Sequence, residues 1–167
     1  NGSSTMDYIF GGSASGGTAA SLQGWNMYNR VSTTTTVTDS GTSYTYSGGI
    51  RQARASAGNQ IGFIVGLQED GIIASYGGEI TLGTSSNSAG AFGIGLNSTS
   101  TFSMQPYANQ ILSVAIGSPS SAGTSSGNFT PQLGQNVISA NETGVVGTVT
   151  FNVADYIKNM LTVTIRN

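Results

Sequence analysis

The chain has no cysteine and no histidine, only three prolines, and charge on only 7% of its 167 residues. Without cysteine or histidine there is no disulfide framework, no thiol nucleophile, no zinc site of the usual kind and no imidazole base. A serine hydrolase of the triad type lacks its base, and a Ser–Lys variant would depend on Lys158, the single lysine. Five Lys and Arg in all are too few to build a phosphate-binding stripe, which argues against nucleic acid as a partner. The longest apolar run, Ile61–Leu67, falls far short of a membrane span. The opening residues carry none of the basic and apolar pattern of a secretory leader.

In place of charge the chain has 25 Gly, and Ser and Thr together supply 44 residues. Lys and Glu normally keep a cytosolic protein soluble, whereas surfaces of Ser, Thr, Asn and Gly suit extracellular or virion-surface β proteins. The expected location is therefore extracellular or on a virion. Absence of cysteine does not bear on this, since it fits either redox compartment. Sequons begin at Asn1, Asn97, Asn128 and Asn141, about the number that 13 Asn in a chain this rich in Ser and Thr give by chance.

Apolar residues alternate with a period of two. In Val31, Thr33, Thr35 and Val37 one face is β-branched, as a half-buried strand requires. Ile61–Leu67 and Ile72–Tyr76 flank Gln68, Glu69, Asp70 and Gly71, and Asp-Gly between apolar runs predicts a hairpin. Further strands are predicted at Gly24–Arg30, Ser43–Ser47, Ile50–Ala57, Glu79–Leu82, Ala91–Leu96, Thr101–Met104, Gln110–Ile116, Val145–Val153 and Met160–Arg166. No helical period is sustained; at most Ala154–Asn159 makes one turn. Gly83–Gly90 and Ser118–Gly127 read as loops. The whole predicts an all-β fold, an antiparallel β-sandwich or jelly roll. Its expected core includes Phe63, Val65, Ile94, Leu112, Val114, Phe151, Val153 and Val163.

Residues 1–18 read as a strand segment followed by a tether, ahead of a sandwich domain over 19–167. The tether, Gly11–Thr18, holds no packing residue and spans roughly 26 Å when extended. Met6, Tyr8 and Phe10 share one face of the strand segment, with Ile9 on the other. Such a strand can pair with a neighbouring copy of the chain.

At the far end, Phe151–Ile165 runs from an apolar strand through an Asp-Tyr turn, Asp155-Tyr156, into Leu161, Val163 and Ile165. This resembles the closing strands of galactose-binding-like jelly rolls, and it implies a fold without implying a sugar site. The composition resembles that of phage tail-fibre knobs and extracellular filament subunits.

Three sets of residues are candidates for function. Trp25, Tyr28, Tyr44 and Tyr46 form a possible carbohydrate platform, because Tyr44 and Tyr46 lie two apart and project from one strand face. Ala91, Gly93 and Gly95 leave one face of a strand bare, so that another layer or chain can approach closely. Met6, Tyr8, Ile9 and Phe10 form the candidate assembly strand. Of the seven carboxylates, Asp39, Asp70 and Asp155 fall in turns and Glu69 and Glu142 in polar loops, leaving Asp7 and Glu79 in strands. A carboxylate-pair glycoside hydrolase is thus the remote alternative. No catalytic residue, metal or cofactor is expected.

The expected function is that of a non-enzymatic surface protein, a self-assembling subunit of an extracellular filament or virion fibre joined by β-strand complementation. Its partners are other copies of the chain, and neither nucleic acid nor a membrane. The alternative is a receptor- or glycan-binding tip domain of a tail fibre.

Overall fold

The computed structural model describes residues 6–9, 14–15, 20–26, 31–67, 71–83, 88–104, 106–110, 120–153 and 159–166. Its strands are β1 (Met6–Ile9), β2 (Ala14–Ser15), β3 (Ala20–Asn26), β4 (Ser32–Thr38), β5 (Tyr44–Gln52), β6 (Gln60–Val65), β7 (Ile72–Leu82), β8 (Ala89–Leu96), β9 (Tyr107–Gln110), β10 (Ser120–Phe129), β11 (Gly134–Asn152) and β12 (Met160–Arg166). A 3-10 turn at Ala53–Ala55 follows β5.

The fold is all-β and sandwich-like, and it is organised by β11. The first part of this 19-residue strand pairs with β6 and β8, and its last four residues pair with β7. One layer is thus β3–β6–β11–β8–β9, and the other is β10–β7–β12–β4, with the end of β11 following β12 along β7. Pairing is antiparallel except at two short contacts, β2 with β4 and β3 with β6. A strand that changes layers must bend, and β11 does so by a bulge. Between Gly144 and Val149 it advances five residues while its partner β5 advances two, from Gly48 to Tyr46.

The alternating apolar residues meet between the layers. Phe63 of β6, Phe92 and Ile94 of β8, and Ile138 of β11 pack with Ile72, Tyr76 and Ile80 of β7 and with Leu161 and Val163 of β12. Tyr76 and Phe92 make an edge-to-face contact across the core, with ring centroids 5.4 Å apart. Of the expected core, Phe63, Val65, Ile94, Phe151, Val153 and Val163 are buried; Leu112 and Val114 lie outside the described residues. Thr35 and Val37 point inward, and β12 has the bounds expected of it.

Several local readings are corrected. The Asp-Gly hairpin is not formed, because β6 pairs with β11 and β3 while β7 pairs with β10, β11 and β12. The two apolar runs belong to different layers, and their pattern is the same in either arrangement. Thr101–Met104 is irregular, and the strand expected to run on to Ala57 ends at Gln52. The segment read as a loop at Ser118–Gly127 belongs largely to β10, a ten-residue strand paired along its full length with β7.

β10 evades recognition because two of its inward positions are glycines. A Cβ at Gly123 would lie 2.0 Å from the Tyr107 ring, and one at Gly127 would lie 1.8 Å from Met104 Sδ. Larger side chains from elsewhere fill the space that β10 leaves. Gly123→Ala should overpack this site and cost about 1–3 kcal/mol. The check is a lowered thermal midpoint, with recovery in a Gly123→Ala, Tyr107→Leu double variant.

Candidate functional site

Glu142 is fully buried on β11, not in a loop as the sequence suggested. Its carboxylate accepts hydrogen bonds from the Tyr44 hydroxyl, from Arg51 Nε at 2.9 Å and from the Arg54 backbone N–H at 3.1 Å, and Arg51 NH2 lies 2.8 Å away. Arg54 then turns its side chain to Asp39, Nε to Oδ2 at 2.9 Å, while the Gly41 N–H donates to the other Asp39 oxygen. To present both groups, Arg54 and Ala55 adopt left-handed backbone, φ 58° and 49°. Such strain costs of order 1–3 kcal/mol at a non-glycine residue, and here bonds on both sides of Arg54 oppose it.

Burial pushes the Glu142 carboxyl up, and this outweighs the opposite pull of the Tyr44 hydroxyl, the Arg51 guanidinium and the Arg54 N–H. Burial also raises the Tyr44 phenol, reinforced by Tyr76 and by the Glu142 charge, so Tyr44 remains a neutral donor. Burial likewise raises the Tyr76 phenol. Two arginines and two carboxylates thus close on one another beneath the bend of β11. The acceptors of Glu142 are occupied by three different residues, an arrangement that ties β5 and its following turn to β11.

On the outer side of the same strands lies an open groove of about 560 Å³ lined by Gly48, Gly49, Ile50, Ala91, Phe102, Pro106, Thr143 and Val145. None of these residues is charged. An extra residue in β5, three steps from Gly48 to Arg51 against two from Gly144 to Glu142, turns Arg51 inward and leaves Gly48 and Gly49 on the groove floor. The opposed bulge in β11 raises Val145 and Val146 at its border, 67% and 45% exposed on a surface otherwise rich in Ser and Thr. Beyond the groove, β5 pairs with no described strand except β11, and the Gly48 and Gly49 carbonyls accept hydrogen bonds from the Thr143 and Tyr46 hydroxyls, each at 2.9 Å. A second hollow of about 320 Å³ is lined by Val137 and by the polar residues Gln60, Asn97, Ser98, Thr99 and Ser139. Neither lining includes a carboxylate.

The predicted site residues separate. Tyr44 and Tyr46 do share a face, but that face packs on the core. Phe151 stacks on Tyr44 at 5.4 Å, and the Arg54 guanidinium lies 4.3 Å from the same ring centre. Arg51 covers Tyr46 at 3.5 Å. These rings are therefore not an open carbohydrate platform; the side chains of Trp25 and Tyr28 lie outside the described residues.

The bare face of β8 is covered by the chain itself. A Cβ at Gly93 would lie 2.9 Å from Phe102, and one at Gly95 would lie 2.0 Å from the Ser98 carbonyl oxygen. Only Ala91 of that set lines the groove. The backbone of Met6–Ile9 pairs with β3, while the side chains of Met6, Tyr8 and Ile9, and all of Phe10, lie outside the described residues. The spelling Gly-x-Ser-x-Gly at Gly123, Ser125 and Gly127 falls within β10, not at a strand-to-helix elbow. No cluster of three or more metal-ligating side chains occurs among the described residues. Sequence reasoning missed the groove, whose walls come from two bulges that no local pattern encodes.

No family model matches the chain, and no curated protein matches it. Among solved structures it is similar to dimeric latent PorU from Porphyromonas gingivalis, with a TM-score of 0.45 and 13% identity. That match covers 97% of this chain and 14% of the other, so the chain spans a small part of that protein.

The ion network has a definite pH signature. With its folded pKa above the ordinary 4.5, Glu142 holds its proton in the native state where the unfolded chain has released it. Its contribution to stability therefore falls as pH rises from about 4.5 through the folded pKa. Glu142→Gln should remove this fall, so the gap between wild-type and variant unfolding free energies should change with pH above about 4.5 and level off on the alkaline side. Denaturant titrations at several pH values measure it. Glu142→Ala should cost about 3–5 kcal/mol, toward the lower end because Arg51 keeps some access to water.

Proposed function

We propose that the chain is a non-enzymatic structural subunit, of jelly-roll type, that polymerises into an extracellular filament or virion fibre by strand complementation. The observation that carries this reading is the uncharged groove bordered by β5, whose outer edge has no described strand partner. An open edge supplies main-chain groups, and an apolar groove beside it takes alternate side chains, which is what strand addition needs. The occupant is residues 5–10 of another copy, where Met6, Tyr8 and Phe10 alternate.

Pairing within one chain supports the exchange. The four rungs of β1 fall on Gln23–Asn26, beyond Ala20–Leu22, where β3 pairs with β6. Withdrawing β1 therefore breaks no rung inside the sandwich. Such a segment exchanges between copies at little cost to either body.

Negative-stain microscopy of the full chain should show polymers. Deleting residues 1–10, or placing a charge in the groove by Val145→Asp, should each leave soluble monomers with unchanged β spectra. Polymers that survive either change, or a wild-type chain that stays monomeric, would overturn the reading.

A further inference from the structure

On the layer away from the groove, β4, β12, β7 and β10 present a continuous outer face. Its middle row runs Thr36, Thr162, Ser75, Ser126, each paired with the next. Above and below Ser75 on the same strand stand Ile73, 57% exposed, and Gly77, which has no side chain and is flanked by Thr124, whose Oγ1 would lie 3.1 Å from a Cβ there. Two rows further out the face carries its charges. Glu79 lies four residues beyond Ser75 on β7, and Arg166 lies four residues beyond Thr162 on β12, in the opposite direction because the strands are antiparallel. Glu79 is held by Asn152 at 2.9 Å and by Ser120, whereas Arg166 has no ion pair among the described residues.

We propose that this face pairs with the same face of a second copy about a two-fold axis through the Ser75 row. One rotation satisfies two independent pairs. It sets the protruding Ile73 of each copy over the bare Gly77 of the other, with the exposed Met160 beside Gly77 on the neighbouring strand. It also brings the Arg166 end of each copy onto the Glu79 end of the other. A two-fold contact must be complementary to itself, and a face neutral between opposite terminal charges meets that requirement.

Size sets its strength. Four strands at about 4.8 Å spacing and about eight residues of rise give roughly 400–500 Å² per copy. That is close to half of the roughly 800 Å² per partner found in stable complexes. Single copies should therefore associate only transiently, and many copies held in a row should associate strongly. The strength in an array, though not the contact itself, rests on the polymer reading above, and its result there is side-by-side bundling.

The test uses the full chain attached at high density to beads, which supplies the array without any polymer. Wild-type beads should clump, less so as salt screens the paired charges. Arg166→Glu should abolish clumping, and the double variant Glu79→Arg, Arg166→Glu should restore it, with far-UV spectra confirming that each folds. Absence of wild-type clumping, clumping indifferent to Arg166→Glu, or no recovery in the double variant overturns the proposal. Filament formation by the free chain is scored separately. Clumping beads without filaments strike out the polymer reading alone, and filaments without clumping beads strike out this one alone.

Discussion

The structure depends on one strand belonging to both layers, and on the buried carboxylate that holds it at the crossing. β11 leaves one layer near Gly144 and joins the other at Val149. At that bend the backbone loses regular pairing, and Glu142 supplies bonds in its place from the Tyr44 hydroxyl, the Arg51 guanidinium and the Arg54 N–H. Placing a carboxylate in the core carries a desolvation penalty, visible in its raised pKa. Removing one partner from such a network costs more than the network as a whole adds to net stability. The network selects the crossing point, since sliding β11 by one residue would turn Glu142 outward and strand Arg51 without its acceptor.

What could be read from the chain was whatever depends on near neighbours. Val31–Val37 and Met160–Arg166 alternate cleanly, and their inward residues are those buried in the fold, except Val31, just ahead of β4, and Thr33, which is half-buried. The failures concern partners. Ile61–Leu67 and Ile72–Tyr76 have the pattern of a hairpin and also of two strands in facing layers, and only contacts distant in sequence decide between them. Glu142 looked like a loop residue because its arginine partner lies 91 positions away. Ser120–Phe129 has low β-propensity, but a full-length ladder with β7 and large side chains inserted at its glycines hold it as a strand. For the candidate site, the glycines of β8 correctly marked close approach, yet the approaching layer is the chain's own segment from Ser98 to Pro106.

Low charge now has a structural meaning. Four charges of the small set are spent inside the molecule, as Asp39 with Arg54 and Glu142 with Arg51. Among the residues whose side chains are described, only Glu79 and Arg166 carry further charge, while apolar residues such as Val145 and Ile73 stand exposed among hydroxyls. The proposed contacts between copies rest on these two features, low charge and scattered exposed apolar side chains.

The shared strand also has a mechanical consequence. Because β11 runs unbroken through both layers, tension along it is carried by covalent bonds from one layer to the other, without passing through the core. To pull the layers apart lengthwise, its ladders with β5, β6, β7 and β8 must be sheared together, many hydrogen bonds at a time. A hairpin joined at one end opens like a zipper, one rung after another. Here the same number of bonds resists as a group, so the molecule should be stiff along β11 and far more compliant where β1 meets β3 over four rungs.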